Sequence, residues 1–223
     1  MEPYLTVLKA GQAEQTIERS RFIGYAFPAK TAMECESFFD GIRREHRQAT
    51  HNVPAYVLGE GCRLQWAGDD GEPRGTAGAP IVHMLTGEGI SDVAVMVTRY
   101  FGGVKLGKGG LVRAYTGTAK LALAAAGIGQ VSEKLVITVE TDYAGYHRLE
   151  AAAGGVFVIE NTIFAGSVST MFTVLPADRD IAIEQIYAAA PEARVVSENL
   201  SIVMTPLSPD AEKGFAEGHR LRV

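Results

Sequence analysis

The sequence predicts a protein of the α+β class with two domains, and three observations lead to this prediction. Its 223 residues are enough for two domains, since domains cluster near about 100–150 residues. Gly127 and Gly129 interrupt a helical pattern, and the order of elements changes after them. Beyond residue 130 the patterns predict the order β-α-β-β-α-β, which is typical of a ferredoxin-like sandwich. We therefore expect one domain over residues 1–130 and a second over residues 131–207.

Local patterns predict the elements of the first domain. Residues 17–29 mix β-branched and aromatic side chains and indicate a strand that ends at Pro28. Thr31 and Glu34 form a capping box, which is a helix start signal, and Cys35 lies on the apolar face of that helix. The other expected elements are strands over 53–58 and 63–67 joined as a hairpin, a strand over 92–99 and a helix over 111–126. Residues 80–85 fit a helix or a strand, and we favour the helix.

The second domain is predicted in the same way. The expected strands cover 135–141, 156–164, 167–175 and 194–205, and the expected helices cover 143–153 and 181–190. Its aromatic residues are candidates for stacking on single-stranded nucleic acid, although aromatics that alternate along strands more often belong to the core, and the RNP pattern of RNA recognition motifs is absent. Residues 208–223 show no convincing period, so we expect a disordered tail there.

The composition excludes several classes of protein. Hydrophobic residues make up 47% of the chain and charged residues 21%, which is ordinary for a globular protein. No run approaches the ~20 apolar residues that cross a bilayer, and the first 15 residues lack the features of a signal peptide. The two cysteines show no paired spacing, which argues against a disulfide scaffold or a cysteine-built zinc site. We expect a cytoplasmic protein that does not bind membranes.

A glycine-rich basic loop between a strand and a helix is the most specific feature of the chain. Its five glycines and four cations are Arg99, Gly102, Gly103, Lys105, Gly107, Lys108, Gly109, Gly110 and Arg113. The unpaired N–H groups and the positive dipole end of a helix that follows such a loop favour an anion. Residues 93–132 also carry five cations and no acid in a chain of net charge −5. The alternative is a tight structural turn whose cations are simply solvated.

Three carboxylates and a histidine precede this loop. Asp69, Asp70 and Glu72 lie within four residues, and clustered carboxylates can hold Mg²⁺ together with substrate phosphates. Alternatively, these acids neutralise nearby arginines or cap backbone N–H groups. His51 is a candidate general base, but a lone histidine is more often a hydrogen-bonded structural residue. The candidate pocket therefore comprises His51, Asp69, Asp70, Glu72 and Arg74, with no catalytic residue or metal assigned.

Three motifs closely resemble the Impact family, in its bacterial YigZ-like branch. They are ATHNVPAY (49–56), DDGEPRGTAGAP (69–80) and VTRYFGGVKLGKGGLVRAY (97–115). The resemblance implies an N-terminal domain like the second domain of ribosomal protein S5 and a C-terminal domain like domain V of elongation factor G. Eukaryotic members act in translational control through a protein partner of a stress kinase, but their partner-binding domain has no counterpart here. The family offers no established catalytic residue to carry over.

These observations favour a monomeric protein that binds nucleic acid or the ribosome and modulates translation. RNA or the ribosome is the expected partner at the glycine-rich basic loop, and the C-terminal domain would offer a second surface for RNA or for a protein. No cofactor is expected in that case. An alternative is a Mg²⁺-dependent nucleotide-binding phosphotransferase or hydrolase, because the S5-like fold is shared with small-molecule kinases. A third interpretation is a protein-interaction module in which the loop is structural.

Overall fold

The structure is a computed structural model that describes residues 1–216 and residue 221. The strands are Tyr4–Val7 (β1), Gly11–Ile17 (β2), Ser20–Pro28 (β3), His51–Leu58 (β4), Leu64–Ala67 (β5), Val93–Tyr100 (β6), Ile128–Thr141 (β7), Phe157–Phe164 (β8), Val168–Val174 (β9) and Arg194–Pro206 (β10). The helices are Ala32–Glu45 (α1), Gly78–Gly87 (α2), Gly107–Ala126 (α3), Tyr143–Ala152 (α4), Arg179–Ala189 (α5) and Pro209–Ala216 (α6). Two sheets with helices place the chain in the α+β class, as predicted. No helix in the described part combines the length and apolarity that crossing a bilayer requires.

The chain divides into two compact units. The larger unit contains residues 2–131 and the described residues from Met204 onward, and the smaller unit contains Met1 and residues 132–203. The change of unit within β7 lies next to the boundary expected at residue 130. The larger unit also includes the end of β10 and helix α6, which the sequence assigned to the second domain and to the tail.

The central strands of the sheet in the larger unit are buried on both faces. Its strand order is β2-β3-β6-β4-β5, and neighbouring strands are antiparallel. Helices α2 and α3 pack on one face, where Phe22, Val95 and Tyr115 lie in the core. Helix α1 packs on the other face, where Tyr25 and Met96 lie in a second core. The central strand β6 is therefore a continuous apolar run rather than an alternating one.

Helix α1 begins as the sequence predicts. The Thr31 side chain accepts from the N–H of Glu34, and the Glu34 carboxylate accepts from the N–H of Thr31, which completes the capping box. Cys35 is fully buried in the core under this helix, and burial raises the pKa of its thiol to about 12. The interpretation of Cys35 as a small core residue is confirmed.

The smaller unit has one sheet and two helices. Its strands follow the order β7-β9-β8, with β9 antiparallel to both neighbours, and β10 also pairs with β7. Residues 128–131 at the start of β7 pair with β1 within the larger unit. The Asp142 carboxylate accepts from the N–H of Gly145 and caps helix α4. Phe157 and Phe172 are buried in the core, whereas Tyr143 and Phe164 are exposed and stack on each other.

Two segments differ from the sequence expectations. The strand expected over residues 17–29 is β3 from residue 20 onward, because Glu18 and Arg19 take left-handed φ values of 45° and 64° and form a turn. This turn joins β3 to β2, a strand that the sequence analysis did not predict. Two-residue hairpin turns usually contain glycine or asparagine, which are missing here. The expectation of a disordered tail is wrong for residues 209–216, which form α6 with Phe215 buried in the core. Residues 217–220, 222 and 223 lie outside the described residues.

Gly24 marks the place where strand β3 and helix α3 approach each other closely. A Cβ atom at Gly24 would lie 2.6 Å from the carbonyl oxygen of Thr118. Backbone atoms of a packed helix cannot move aside cheaply, so this position excludes a side chain. The second half of α3, which contains Thr118, is thereby held firmly against the sheet.

We predict that Gly24→Ala lowers the free energy of unfolding by about 1–3 kcal/mol, because the added methyl group overpacks the β3–α3 contact. Urea denaturation monitored by circular dichroism measures the change. Gly41→Ala in helix α1 is the matched control, since no atom lies within 4 Å of its added Cβ. The control should be neutral or gain about 0.5–1 kcal/mol, and equal effects of the two substitutions would contradict the close approach.

Candidate functional site

A buried ion pair joins three elements of the larger unit. The Arg99 guanidinium on β6 donates to the Glu72 carboxylate at 2.6 Å, and both side chains are at most 5% exposed. The Tyr115 hydroxyl on α3 donates to the same carboxylate oxygen at 2.7 Å. Burial and the bond to Glu72 hold the pKa of Tyr115 above its usual value, so the hydroxyl stays a donor. Glu72 thus ties the loop between β5 and α2 to the sheet and to the helix.

Aromatic rings flank the Arg99 guanidinium. Its central carbon lies 5.3 Å from the ring centre of Phe22 and 5.2 Å from that of Phe101, which are cation–π distances. One terminal nitrogen donates to the Ser20 hydroxyl at 3.3 Å. The Nε atom has no hydrogen-bond partner among the residues that the structure describes. The sequence analysis expected Arg99 to contact an anion directly. In the structure its guanidinium already forms an ion pair with Glu72.

The other two carboxylates of the acidic motif bind backbone. Asp69 accepts from the N–H groups of Gly75 and Gly78 at 2.7 and 2.9 Å and so organises the start of α2. Asp70 accepts from the N–H of Asn52 at 2.5 Å. Within residues 1–216, no group of three potential ligands is arranged to hold a metal ion. Asp69 and Asp70 are engaged by backbone N–H groups and Glu72 neutralises Arg99, which is the geometry of the capping and neutralising interpretation.

His51 at the start of β4 is held by the backbone of the acidic motif. Its Nδ1 lies 2.7 Å from the carbonyl oxygen of Asp70. A carbonyl only accepts, so Nδ1 carries a proton in this contact. The other ring nitrogen, Nε2, lies 3.7 Å from the nearer Glu72 oxygen. His51 therefore presents Nε2 beside the buried ion pair.

A cavity of about 400 Å³ opens above this ion pair. Glu72, Arg99 and His51 provide its polar floor. Its apolar wall is formed by Pro73, Phe101, Leu106 and Leu111, and its basic side by Lys105, Gly107 and Lys108. Both lysines are exposed. The cavity thus combines two exposed cations, an apolar wall and a floor whose acid is neutralised by Arg99.

Helix α3 begins at this cavity without a side-chain cap. Leu106 occupies the N-cap position, no side chain accepts from the first turn, and no acid lies in that turn. The first N–H groups of any α-helix lack partners inside the helix. The glycines at 107, 109 and 110 leave this turn uncovered by side chains, and Gly107 takes a φ of 70°. An anion at this point would meet both N–H donors and the lysines.

A second cavity, of about 480 Å³, lies on the other side of residues 104–106. Lys105 and Leu106 line both cavities, while Gly110 and Arg113 line only the second. Glu18 lines the second cavity as well, so it is less strongly basic than the first. The glycine-rich basic loop therefore forms the wall between two neighbouring depressions of the larger unit.

The structure brings only some of the candidate residues together. His51, Glu72, Arg99, Lys105, Gly107 and Lys108 line the first cavity, and Gly110 and Arg113 line the second. The candidates that line neither are Asp69, Asp70, Arg74, Gly102, Gly103 and Gly109. Gly102 has a packing role, since a Cβ there would lie 1.9 Å from the carbonyl oxygen of Arg19.

The sequence analysis missed several residues of the cavity. Tyr115 on α3 does not line the cavity, and its hydroxyl, bonded to Glu72, connects it to the floor. Phe101 follows Arg99 in the loop motif. An aromatic residue next to glycines in such a loop could have indicated a ligand contact from the sequence. Thr50 precedes His51 and accepts from the N–H of Phe101, which fixes the cavity edge.

The fold and the site place this chain in a class of α+β proteins with two units and a cavity bordered by a glycine-rich basic loop. The model of the Impact N-terminal domain matches residues 18–123. The IMPACT family member YvyE of Bacillus subtilis is 43% identical over 152 residues, which are 67% of this chain and 69% of that protein. The IMPACT family member YigZ of Escherichia coli is 34% identical over 69% of this chain and 76% of its own length. The chain belongs to the Impact family.

A solved structure supports the same architecture over nearly the whole chain. It is a crystal structure described as that of a hypothetical protein, 26% identical, with a TM-score of 0.56. The match covers 93% of this chain and 98% of the other. The structural similarity therefore extends over both units of the chain.

We predict that Glu72→Ala lowers the free energy of unfolding by about 3–5 kcal/mol, because it leaves the Arg99 guanidinium buried without its carboxylate. Urea denaturation measures the change. Asp40→Ala is the matched control, since Asp40 pairs with Arg43 at 3.0 Å on the surface, where ion pairs contribute little. A loss of stability at Glu72 no greater than that of the control would show that the buried pair does not hold the site.

Proposed function

We propose that the protein binds RNA through phosphate contacts at the glycine-rich basic loop, and that it modulates translation, as the resemblance to translational proteins implies. The observation that carries this proposal is the uncapped first turn of α3, placed with Lys105 and Lys108 at the open side of the first cavity. Cations and N–H donors at one point are the groups that bind phosphate.

The local charge at the glycine-rich basic loop favours an anionic ligand over a cationic one. Residues 93–132 carry five cations and no acid. Glu72, the acid in the floor, is paired with Arg99 and accepts from Tyr115, so it opposes a bound anion only weakly. Exposed Arg113 beside the second cavity adds a further cation. A phosphate chain that follows the loop would meet positive charge on both sides of Lys105.

The domain assignments are part of the same proposal. We assign residues 1–130 to a domain like the second domain of ribosomal protein S5, and residues 131–207 to a ferredoxin-like domain like domain V of elongation factor G. The order β7-β9-β8, with β9 antiparallel to both neighbours and β10 also paired with β7, supports the ferredoxin-like assignment. Both relatives work on the ribosome, which supports RNA or the ribosome as the partner of a monomeric protein.

The phosphotransferase alternative has no comparable support. It needs Asp69 or Asp70 to hold Mg²⁺, yet both carboxylates accept from backbone N–H groups. His51 is held through Nδ1 by the Asp70 carbonyl, a contact that a structural histidine also makes. Binding of RNA through phosphate contacts accounts for the arrangement of the cavity residues and requires no catalysed reaction.

We predict that Lys105→Ala combined with Lys108→Ala weakens binding of single-stranded RNA and flattens its salt dependence. Removing one phosphate contact should reduce the steepness of log affinity against log salt by about 0.7, because fewer counterions are released from the single strand. Fluorescence anisotropy of labelled RNA at several salt concentrations measures both quantities. Duplex DNA and structured RNA serve as comparison ligands.

The control for this experiment removes the same charge elsewhere. Lys9→Ala combined with Lys30→Ala deletes two exposed lysines of the same unit that line neither cavity. This variant should keep the slope and nearly all of the affinity. Equal affinities and slopes for both double variants and the unchanged protein would remove the loop from the RNA site.

A further inference from the structure

The first cavity is larger than a phosphate contact needs. Its volume of about 400 Å³ lies within the range of about 300–1,000 Å³ that holds small organic ligands. A phosphate held by Lys105, Lys108 and the first turn of α3 would occupy only the basic side. The apolar wall and the polar floor would remain in contact with whatever is attached to that phosphate.

The apolar wall suits a flat ring. Phe101 is 44% exposed and lines the cavity together with Leu106 and Leu111. Nucleobases stack on exposed aromatic side chains, and this contact tolerates any base because every base has a π-face. Phe101 lies two positions after Arg99 and four before Lys105. One short segment therefore carries both a ring on which a base can stack and a cation that can contact a phosphate.

The floor suits hydroxyl and base-edge groups. His51 presents Nε2 beside Glu72, and its side chain is 18% exposed. Because Nδ1 carries the proton in the contact with the Asp70 carbonyl, Nε2 can accept a hydrogen bond, so a ligand with hydrogen-bond donors is favoured there. A ribose or a base edge carries such groups, whereas a purely apolar ligand does not.

We infer that the first cavity takes one nucleotide unit of the bound RNA, with its phosphate at the first turn of α3 and its base against Phe101. This inference rests on the proposed function. The buried contacts of Glu72 with Arg99 and Tyr115 close the floor, so a strand cannot pass through. The unit that enters is therefore a strand end or a nucleotide turned out of its stack, and the strand continues past Lys105 toward Arg113 in the second cavity.

The test is competition by fragments of a nucleotide. Adenosine 5′-monophosphate, adenosine and inorganic phosphate are each titrated up to millimolar concentration against the full-length protein with labelled RNA bound. The monophosphate should displace RNA at concentrations at least about tenfold below those at which either fragment does, because only it fills both the basic side and the apolar wall. Equal competition by inorganic phosphate would reduce the cavity to an anion site and overturn the inference.

A variant separates stacking from charge. Phe101→Ala should weaken binding of adenosine 5′-monophosphate about tenfold and leave inorganic phosphate unchanged. Phe164→Ala, which removes another exposed phenylalanine, should change neither. If Phe101→Ala lowers the melting temperature, amide chemical shifts of the unchanged protein replace it: the monophosphate must move the signals of Phe101 and Gly107, and unmoved signals overturn the inference.

The outcomes distinguish this inference from the function on which it rests. RNA binding that depends on Lys105 and Lys108, without competition by the monophosphate, overturns the nucleotide cavity and leaves phosphate binding intact. Failure of both RNA and the monophosphate to bind overturns both. Competition by the monophosphate that Phe101→Ala weakens supports both.

Discussion

The buried Glu72–Arg99 ion pair is the constraint on which the rest of the site depends. Two charges with almost no exposure are costly unless each is satisfied, and here Tyr115, Ser20 and the rings of Phe22 and Phe101 surround them. Because the pair joins the acidic motif, strand β6 and helix α3, these three elements cannot shift independently. The floor of the first cavity is therefore rigid, and the start of α3 has a fixed position relative to it.

The same pair determines the electrostatics of the surface above it. An unpaired carboxylate under the cavity would oppose an anion, but Arg99 cancels that charge within the floor. Lys105 and Lys108 then act with little opposition from that acid, although the chain as a whole is negative. Asp69 contributes indirectly, since its bonds to Gly75 and Gly78 shape the loop that carries Glu72. The acidic motif thus supports an anion site because its carboxylates are occupied by structural contacts.

Local signals predicted much of the fold, and long-range contacts account for what was missed. The capping box of α1 and the apolar run of β6 depend on neighbouring residues, so the sequence displays them. The partner of Glu72 lies 27 residues away in the chain, and the sequence left capping, neutralisation and Mg²⁺ binding open as interpretations. The Glu18–Arg19 turn lacks the usual glycine, and α6 forms without a visible period because Phe215 is buried in the core of the larger unit. Tertiary packing overrides local preference in both places.

The central claim is that the first turn of α3 contacts RNA phosphates, and backbone amide spectra test it most directly. Uniformly ¹⁵N-labelled protein is titrated with a short single-stranded RNA, and the glycine amide signals are followed. The account predicts that Gly107, Gly109 and Gly110 move most, because their N–H groups lie at the uncapped start of the helix. Gly41 and Gly59, which line neither cavity, should stay in place. Saturating RNA that leaves the three loop glycines unmoved would contradict the account.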